Sequence, residues 1–208
     1  MKASTAKGLQ VDLPVMEAFY TLQGEGFHVG TPAYFIRLGG CDVGCHWCDV
    51  KESWTASDHP SKSVDEIVEE SLASGAKRVV ITGGEPLMYD LTELTAELKA
   101  AGLQTHLETS GVYPLTGTWD WVCFSPKKFK APLDIYYQES HELKVVVFNR
   151  SDFSWAQSHA VKMHEKCQLF VQPEWSRENE NLPALIQFVK ENQDWRISLQ
   201  THKYMNIP

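Results

Sequence analysis

The sequence predicts an α/β fold. It reads as a single domain, residues 1–208, arranged as an incomplete TIM-like barrel with an N-terminal strand and turn added ahead of it. Three observations predict this. Short apolar runs alternate with amphipathic helical runs, the pattern of a largely parallel sheet with crossover helices. At 208 residues the chain falls short of the about 250 that a full eight-fold barrel takes. Residues 41–59 carry no periodicity and read as one long loop, which leaves still less chain for closure.

The elements follow in order. Residues 15–30 supply the extra strand and turn. Strands are expected at 33–38 (AYFIRL), 78–82 (RVVIT), 104–109 (QTHLET), 121–125 (WVCFS), 142–148 (ELKVVVF), 167–172 (CQLFVQ) and 196–200 (RISLQ). Each is short and apolar and stops at Gly, Pro or a polar turn residue. Ser63 with Glu66 three positions on is a capping-box signal. Val64, Ile67, Val68 and Leu72 then fall on one helical face, and Gly75 closes the run. Asp90 opens a second helix with Leu91, Leu94 and Leu98 inward and Gly102 at its stop. A weaker helical pattern covers 152–165, and a fourth covers 181–192 with Leu182, Leu185, Ile186 and Val189 inward. In such folds chemistry gathers at the carboxyl ends of strands. That directs attention to GGCDVGCHWCD, TGGEP, ETSG, SPKK and VQPEW.

Asp and Glu outnumber Lys and Arg by 27 to 19, for a net charge of −8. Such a balance excludes a large nucleic-acid footprint, which needs a basic face, and suits an enzyme of small molecules. No stretch approaches the about 18 apolar residues that span a bilayer, and the opening MKASTAKGLQVDLP lacks the apolar centre of a signal peptide. The expectation is a cytoplasmic protein with neither nucleic acid nor membrane as a partner. In a reducing compartment five cysteines, three of them within eight positions, point to metal binding and not to disulfides.

Those three are Cys41, Cys45 and Cys48, spaced C-x3-C-x2-C directly after Gly39-Gly40. A structural zinc ion needs four ligands. His46 is poorly placed between Cys45 and Cys48 to be the fourth, and Cys123 and Cys167 sit in expected strands, where buried free thiols are common. A four-iron cluster with three protein ligands, its fourth iron open to an outside molecule, accounts for the count better. A zinc-stapled binding module without enzymatic activity is the alternative. The other motifs have plain readings when taken alone. TGGEP (82–86) is a turn before a helix, SPK (125–127) a solvated basic turn, and TLQGEG (21–26) a glycine turn in a hairpin.

With Trp47 as its aromatic, C-x3-C-x-aromatic-C resembles the signature of the radical S-adenosylmethionine (SAM) superfamily. The resemblance implies a barrel of the radical SAM type and a 4Fe-4S cluster on Cys41, Cys45 and Cys48. It further implies that SAM chelates the open iron and is cleaved to methionine and a 5′-deoxyadenosyl radical. Implied SAM contacts are Trp47, Asp49, Gly84, Glu85 (toward the methionyl ammonium), Ser125 and Lys127. TLQGEG, Arg37 in FIRL, CDVGCHWCD, TGGEP, SPK and a terminal proline, in that order over residues 21–208, resemble more narrowly the 7-carboxy-7-deazaguanine synthase family. This implies a lyase of queuosine biosynthesis. Its reaction would convert 6-carboxy-5,6,7,8-tetrahydropterin to 7-carboxy-7-deazaguanine with loss of ammonia. Also implied are a flavodoxin or ferredoxin as reductant and a homodimer, with no protein acid or base assigned. Implied substrate contacts are Leu22, Gln23, Gly24, Glu25, Arg37, Thr82 and the carboxylate of Pro208. A guanidinium such as that of Arg37 suits the carboxyl group of the pterin. His202 is expected to be structural. The chain departs from the family at Val50, where relatives commonly carry a hydroxyl that helps hold Mg2+. A valine methyl cannot coordinate a hard cation, so Mg2+ would bind through substrate, water and Asp49, or be little needed. A glycyl-radical-enzyme activase shares the cysteine loop, but it has no clear use for Arg37 or a terminal carboxylate.

Overall fold

The structure is a computed structural model, which describes residues 12–208. The opening MKASTAKGLQV, most of the run expected to lack a signal peptide, lies outside the described residues. No helix among the described residues is long and apolar enough to cross a membrane.

Among the described residues nine strands form one sheet: β1 (Asp12–Leu22), β2 (Pro32–Leu38), β3 (Ser61–Ser63), β4 (Arg78–Gly83), β5 (Gln104–Thr109), β6 (Trp121–Phe124), β7 (Glu142–Val147), β8 (Gln168–Pro173) and β9 (Trp195–Ile197). Their spatial order is β3-β1-β2-β4-β5-β6-β7-β8-β9. β1 is antiparallel to both β2 and β3. From β2 through β9 every pairing is parallel. β3 and β9 are the two edges, so the sheet is open and the barrel incomplete. The helices are α1 (Val64–Ala73), α2 (Thr92–Ala100), α3 (Tyr136–Glu139), α4 (Ser151–Ala160), α5 (Glu178–Glu191) and α6 (Thr201–Met205).

Alternation along the strands creates two environments. Ile36 and Leu38 of β2 and Leu143, Val145 and Val147 of β7 are fully buried in one core with Leu94 and Leu98 of α2 and Leu185 of α5. Each such side chain contributes about 1.5–3 kcal/mol on burial. The intervening positions Arg37, Glu108, Lys144 and Gln172 turn to the inner face and line a cleft. The polar residues inside these strands are therefore the inner wall of the site, while their apolar neighbours carry the helices.

The capping box forms as the sequence indicates. Glu66 N donates to Ser63 Oγ (3.3 Å), and Ser63 N donates to Glu66 Oε2 (2.8 Å). Two faces differ from expectation. Leu72 is exposed, and the stripe from Val64 and Ile67 continues to Ser71, whose Oγ donates to Ile67 O at 2.7 Å. Ile186 is exposed, and its place is taken by Phe188, packed between Phe153 and Trp195. α4 stops at Ala160, short of the expected 165. α5 begins at Glu178, earlier than 181, because a 3-10 turn (Trp175–Arg177) runs straight into it. The strand expected at 196–200 is Trp195–Ile197. Beyond it Ser198 N still donates to Val171 O (3.0 Å), while the side chains of Ser198 and Gln200 bond Gln172 and Glu25 on the inner side. Cys167 lies one residue before β8, and residues 41–59 include two 3-10 turns, Lys51–Trp54 and Ala56–Asp58. β3, α3 and α6 are too short or too polar to leave a periodic signal.

The end of the barrel opposite the cleft is closed by aromatic rings and a buried acid. Trp121 stacks on Phe27 at 4.9 Å and on His141 at 5.1 Å. Glu142 Oε2 accepts from Phe27 N (3.1 Å) and from Trp121 Nε1 (3.2 Å). Gly26 (φ 65) lies so close that any Cβ there would collide with the Glu142 carboxyl. Burial pushes the Glu142 carboxyl up to about 7, against the pull of the Lys144 charge.

Two outcomes are expected. Ser63→Ala should destabilise the fold by about 1 kcal/mol, the usual worth of an N-cap, read as a lower melting temperature. For Glu142 the folded state keeps a proton that the unfolded chain releases near 4.5. Its contribution to stability is therefore present below that value and lost as pH rises through about 7. Melting temperatures of Glu142→Gln and the parent, measured from about pH 5 to pH 8, should shift in favour of the variant as pH rises. A difference independent of pH would mean that the carboxyl is ionised throughout.

Candidate active site

All five strand-end stretches singled out in the sequence open into one cleft, of about 1020 Å³ including its mouth. Cys41, Cys45 and Cys48 line it from the loop after β2, and Thr82 and Gly84 from the end of β4. Thr109 and Ser110 after β5, Ser125 and Lys127 after β6, and Gln172 and Glu174 of the β8 end complete the wall.

The start of the cysteine loop is clamped by its neighbours. Gly40 N donates to Ser53 O (2.6 Å) and Cys41 N to Trp54 O (3.1 Å), which ties it to the 3-10 turn. Glu85 N donates to Gly40 O (2.9 Å) and Gly84 N to Leu38 O (3.0 Å), which ties it to β4. A Cβ on Gly84 would overlap Gly40 O and Cys41 Cβ, so the middle of GGEP must be glycine for the two loops to meet. All three thiols are free. Burial pushes the Cys45 thiol up to about 11, so it stays protonated until a metal takes the thiolate. His46 is exposed and packs edge-on against Phe129 and Phe148, away from the cleft. Among the described residues no three His, Cys, Asp or Glu side chains surround one ion position. Three thiols facing one cleft fit an iron–sulfur cube, whose ligands bind separate irons, better than a tetrahedral zinc ion.

The other residues implied as SAM contacts divide. Trp47, Asp49, Gly84, Ser125 and Lys127 all line the cleft. Lys127 Nζ donates to Ser125 O (2.8 Å) and Ser125 Oγ (2.5 Å) and stands 5.8 Å from the Trp47 ring centre. Burial lowers the Lys127 ammonium from its ordinary value. Glu85 is the exception. Its carboxyl is buried and turned inward, where it accepts from Thr109 Oγ1 (2.7 Å), Ser110 N (2.8 Å), Ser110 Oγ and Leu87 N (3.2 Å). It joins the ends of β4 and β5 and does not face the cleft.

A second hollow continues the first. It is lined by Leu22, Gln23 and Gly24 of the β1–β2 turn and by His202, Ile207 and Pro208 of the C-terminus. Glu25, Arg37, Asp49, Thr82, Glu108 and Gln200 line both halves, so the two form one continuous space. The tail is held by Thr201, whose N and Oγ1 both donate to Gly24 O at 2.9 Å, and by the His202 ring packed on Gly24. Lys203 Nζ reaches Asp49 Oδ2 at 2.8 Å, joining α6 to the cysteine loop. Arg37 Nε donates to Glu17 Oε1 (2.6 Å), which fixes the guanidinium plane while the side chain faces both halves of the cleft. The Gln23 amide is already engaged: Nε2 donates to Glu108 (3.3 Å), and Oε1 accepts from Glu25 N (3.1 Å). Val50 lines both halves and offers no donor atom.

Sequence reasoning pointed to Glu108, Gln172 and Glu174 only as members of the strand-end stretches ETSG and VQPEW, without a role, and it missed Lys144 and Gln200; all five are on the cleft wall. The signal for Lys144 was a polar residue at an alternate position of an otherwise apolar strand, ELKVVVF; Gln200 lies beyond β9 and carried no such signal.

Comparison with known proteins agrees with this geometry. Residues 35–123 match the model of the radical SAM superfamily. The 7-carboxy-7-deazaguanine synthase of Flavobacterium psychrophilum is 58% identical over 94% of this chain and 93% of its own length. That of Synechocystis is 47% identical over 96% and 95%, and that of Escherichia coli 34% identical over 93% and 98%. The crystal structure of QueE from Escherichia coli superposes with a TM-score of 0.82 at 31% identity, covering 92% of this chain and 95% of that one. With these matches over nearly the whole chain, and a cleft that brings its cysteine loop and TLQGEG turn together, this chain belongs to the 7-carboxy-7-deazaguanine synthase family of radical SAM enzymes.

Proposed function

We propose that this chain, as a single domain, converts 6-carboxy-5,6,7,8-tetrahydropterin to 7-carboxy-7-deazaguanine with release of ammonia, a step toward queuosine. The observation that carries the reading is the continuity of the cleft: the three thiols open onto one end, and Arg37, the TLQGEG turn and Pro208 onto the other. When bound, a 4Fe-4S cluster and SAM supply hydrogen-atom abstraction through reductive cleavage of a carbon–sulfur bond.

The residues of the chain bind, orient and shield. Cys41, Cys45 and Cys48 would hold the cluster. Trp47, Asp49, Gly84, Ser125 and Lys127 would hold SAM beside it, with Glu85 acting through the strand ends it joins. Arg37, its plane set by Glu17, would offer both Nη groups to the carboxyl of the substrate. Leu22, Gln23, Gly24, Glu25, Thr82 and Pro208 would close on the ring. A protein-held Mg2+ does not fit the donors present. Val50 has none, and Asp49 Oδ2 already accepts from Lys203 (2.8 Å) and Gln200 (3.4 Å). A cytoplasmic homodimer reduced by a flavodoxin or ferredoxin completes the proposal.

Anaerobic incubation with reductant, SAM and the carboxytetrahydropterin tests it, with product read by chromatography. Absence of the deazaguanine from a protein that cleaves SAM would refute it. Arg37→Ala should weaken substrate affinity about 10- to 100-fold, the worth of hydrogen bonds to a charged group, while SAM cleavage without substrate continues. Normal turnover by that variant would remove Arg37 from the site. Turnover should respond weakly to chelator and to added Mg2+, and Val50→Thr should increase the response; a large Mg2+ dependence in the parent chain would count against the reading of position 50.

A further inference from the structure

The proposed substrate presents a second recognition problem, one that its carboxyl group does not solve. An aminopyrimidinone ring carries two neighbouring N–H donors, and parallel donors of this kind are met by a carboxylate. Of the three carboxylates that line both halves of the cleft, Asp49 pairs with Lys203, and the other two are Glu25 and Glu108. One buried cation joins them: Lys144 Nζ stands 2.6 Å from Glu25 Oε2 and 2.9 Å from Glu108 Oε2. The Lys144 side chain is 5% exposed. The remaining oxygens are steadied from the side, Glu25 Oε1 by Gln200 (2.9 Å) and Glu108 Oε1 by Gln23 (3.3 Å). Each carboxylate has about four lone-pair sites, so both keep acceptor capacity for a ligand.

We propose that Lys144 is a positioning residue: it holds Glu25 and Glu108 side by side on the shared floor of the cleft, as a paired acceptor for the donor edge of the aminopyrimidinone ring. The inference rests on the functional reading above. The charge balance supports it. Besides Glu25 and Glu108, the ionisable groups facing this cluster are Glu142 on β7, Cys123 on β6, Lys127 beyond β6, His202 on α6 and Asp49 through Gln200. Burial favours the neutral forms of Glu142 and Cys123. Lys127 donates to Ser125 and not to either carboxylate, so the Lys144 ammonium is the one that bonds both, and the floor keeps an excess of acceptors. Burial would raise the Glu25 carboxyl, but the charge of Lys144 and the hydrogen bonds from Lys144 and Gln200 outweigh it and hold that group down to about 2. Without Lys144 the burial cost of Glu25 is opposed only by Gln200 and His202, its carboxyl takes up a proton at higher pH, and binding weakens as pH falls.

The test is steady-state kinetics of the anaerobic holoenzyme with 6-carboxy-5,6,7,8-tetrahydropterin at a series of pH values. Lys144→Met should raise KM for the pterin about 10- to 100-fold at alkaline pH, as loss of hydrogen bonds to charged groups does, with kcat changed far less. Its kcat/KM should fall more steeply than that of the parent on acidification. Lys144→Arg should restore both the affinity and the parental acid limb. Glu108→Gln, which leaves Lys144 paired with Glu25, covers the case in which Lys144→Met does not fold; it should show the raised KM with a parental acid limb. A Lys144→Met profile parallel to that of the parent, or a parental KM in Glu108→Gln, overturns the proposal. A parent enzyme that cleaves SAM but leaves the pterin unchanged overturns the functional reading itself.

Discussion

The cleft depends on one buried carboxyl. Glu85 is 1% exposed and receives four hydrogen bonds from Thr109, Ser110 and Leu87, while its own N–H reaches Gly40. Burying a carboxyl is costly unless its oxygens are satisfied, and here both are. The result is a rigid joint between the ends of β4 and β5 and the start of the cysteine loop. Gly84 lets the loops touch, and the thiols emerge from that joint already aimed at the cleft. A glutamate suited by charge to an ammonium ligand serves here as a structural tie between strands.

The rest of the cleft is built on alternation. A parallel strand in a barrel is buried on both faces, yet the faces differ. The outer one packs on helices and must be apolar, and the inner one can carry charge where charges pair. Leu143, Val145 and Val147 turn outward on β7, while Glu142, Lys144 and Val146 turn inward. Along that inner column the environment changes from a closed, aromatic-plugged end, where Glu142 resists ionisation, to an open end lined by the three thiols. The C-terminal helix completes the wall because Thr201 anchors on Gly24 and Lys203 on Asp49. The same tail thereby touches both the TLQGEG turn and the cysteine loop.

Much of this was legible in advance. The strand runs, the Ser63–Glu66 box, the leucines of α2 and the loop cysteines all stand where the pattern puts them. The errors have physical causes. Leu72 and Ser71 are neighbours on the helix, and only the packing angle of α1 decides which is buried. Ser198 and Gln200 continue a β pattern in sequence but are drawn inward by Gln172 and Glu25. Glu85 has the right chemistry for an ammonium, yet Thr109 and Ser110 reach it first.

By itself the sequence determined what depends on spacing along the chain: the strand and helix periods, the caps, and three thiols close enough to share one cluster. Tertiary structure alone decided which distant groups meet. Lys144 lies 119 positions from Glu25 and 36 from Glu108, and only strand register brings the three together. The difference is physical. Local signals are set by backbone geometry over a few residues, whereas a buried charge pair requires the whole sheet to be assembled before its partners exist.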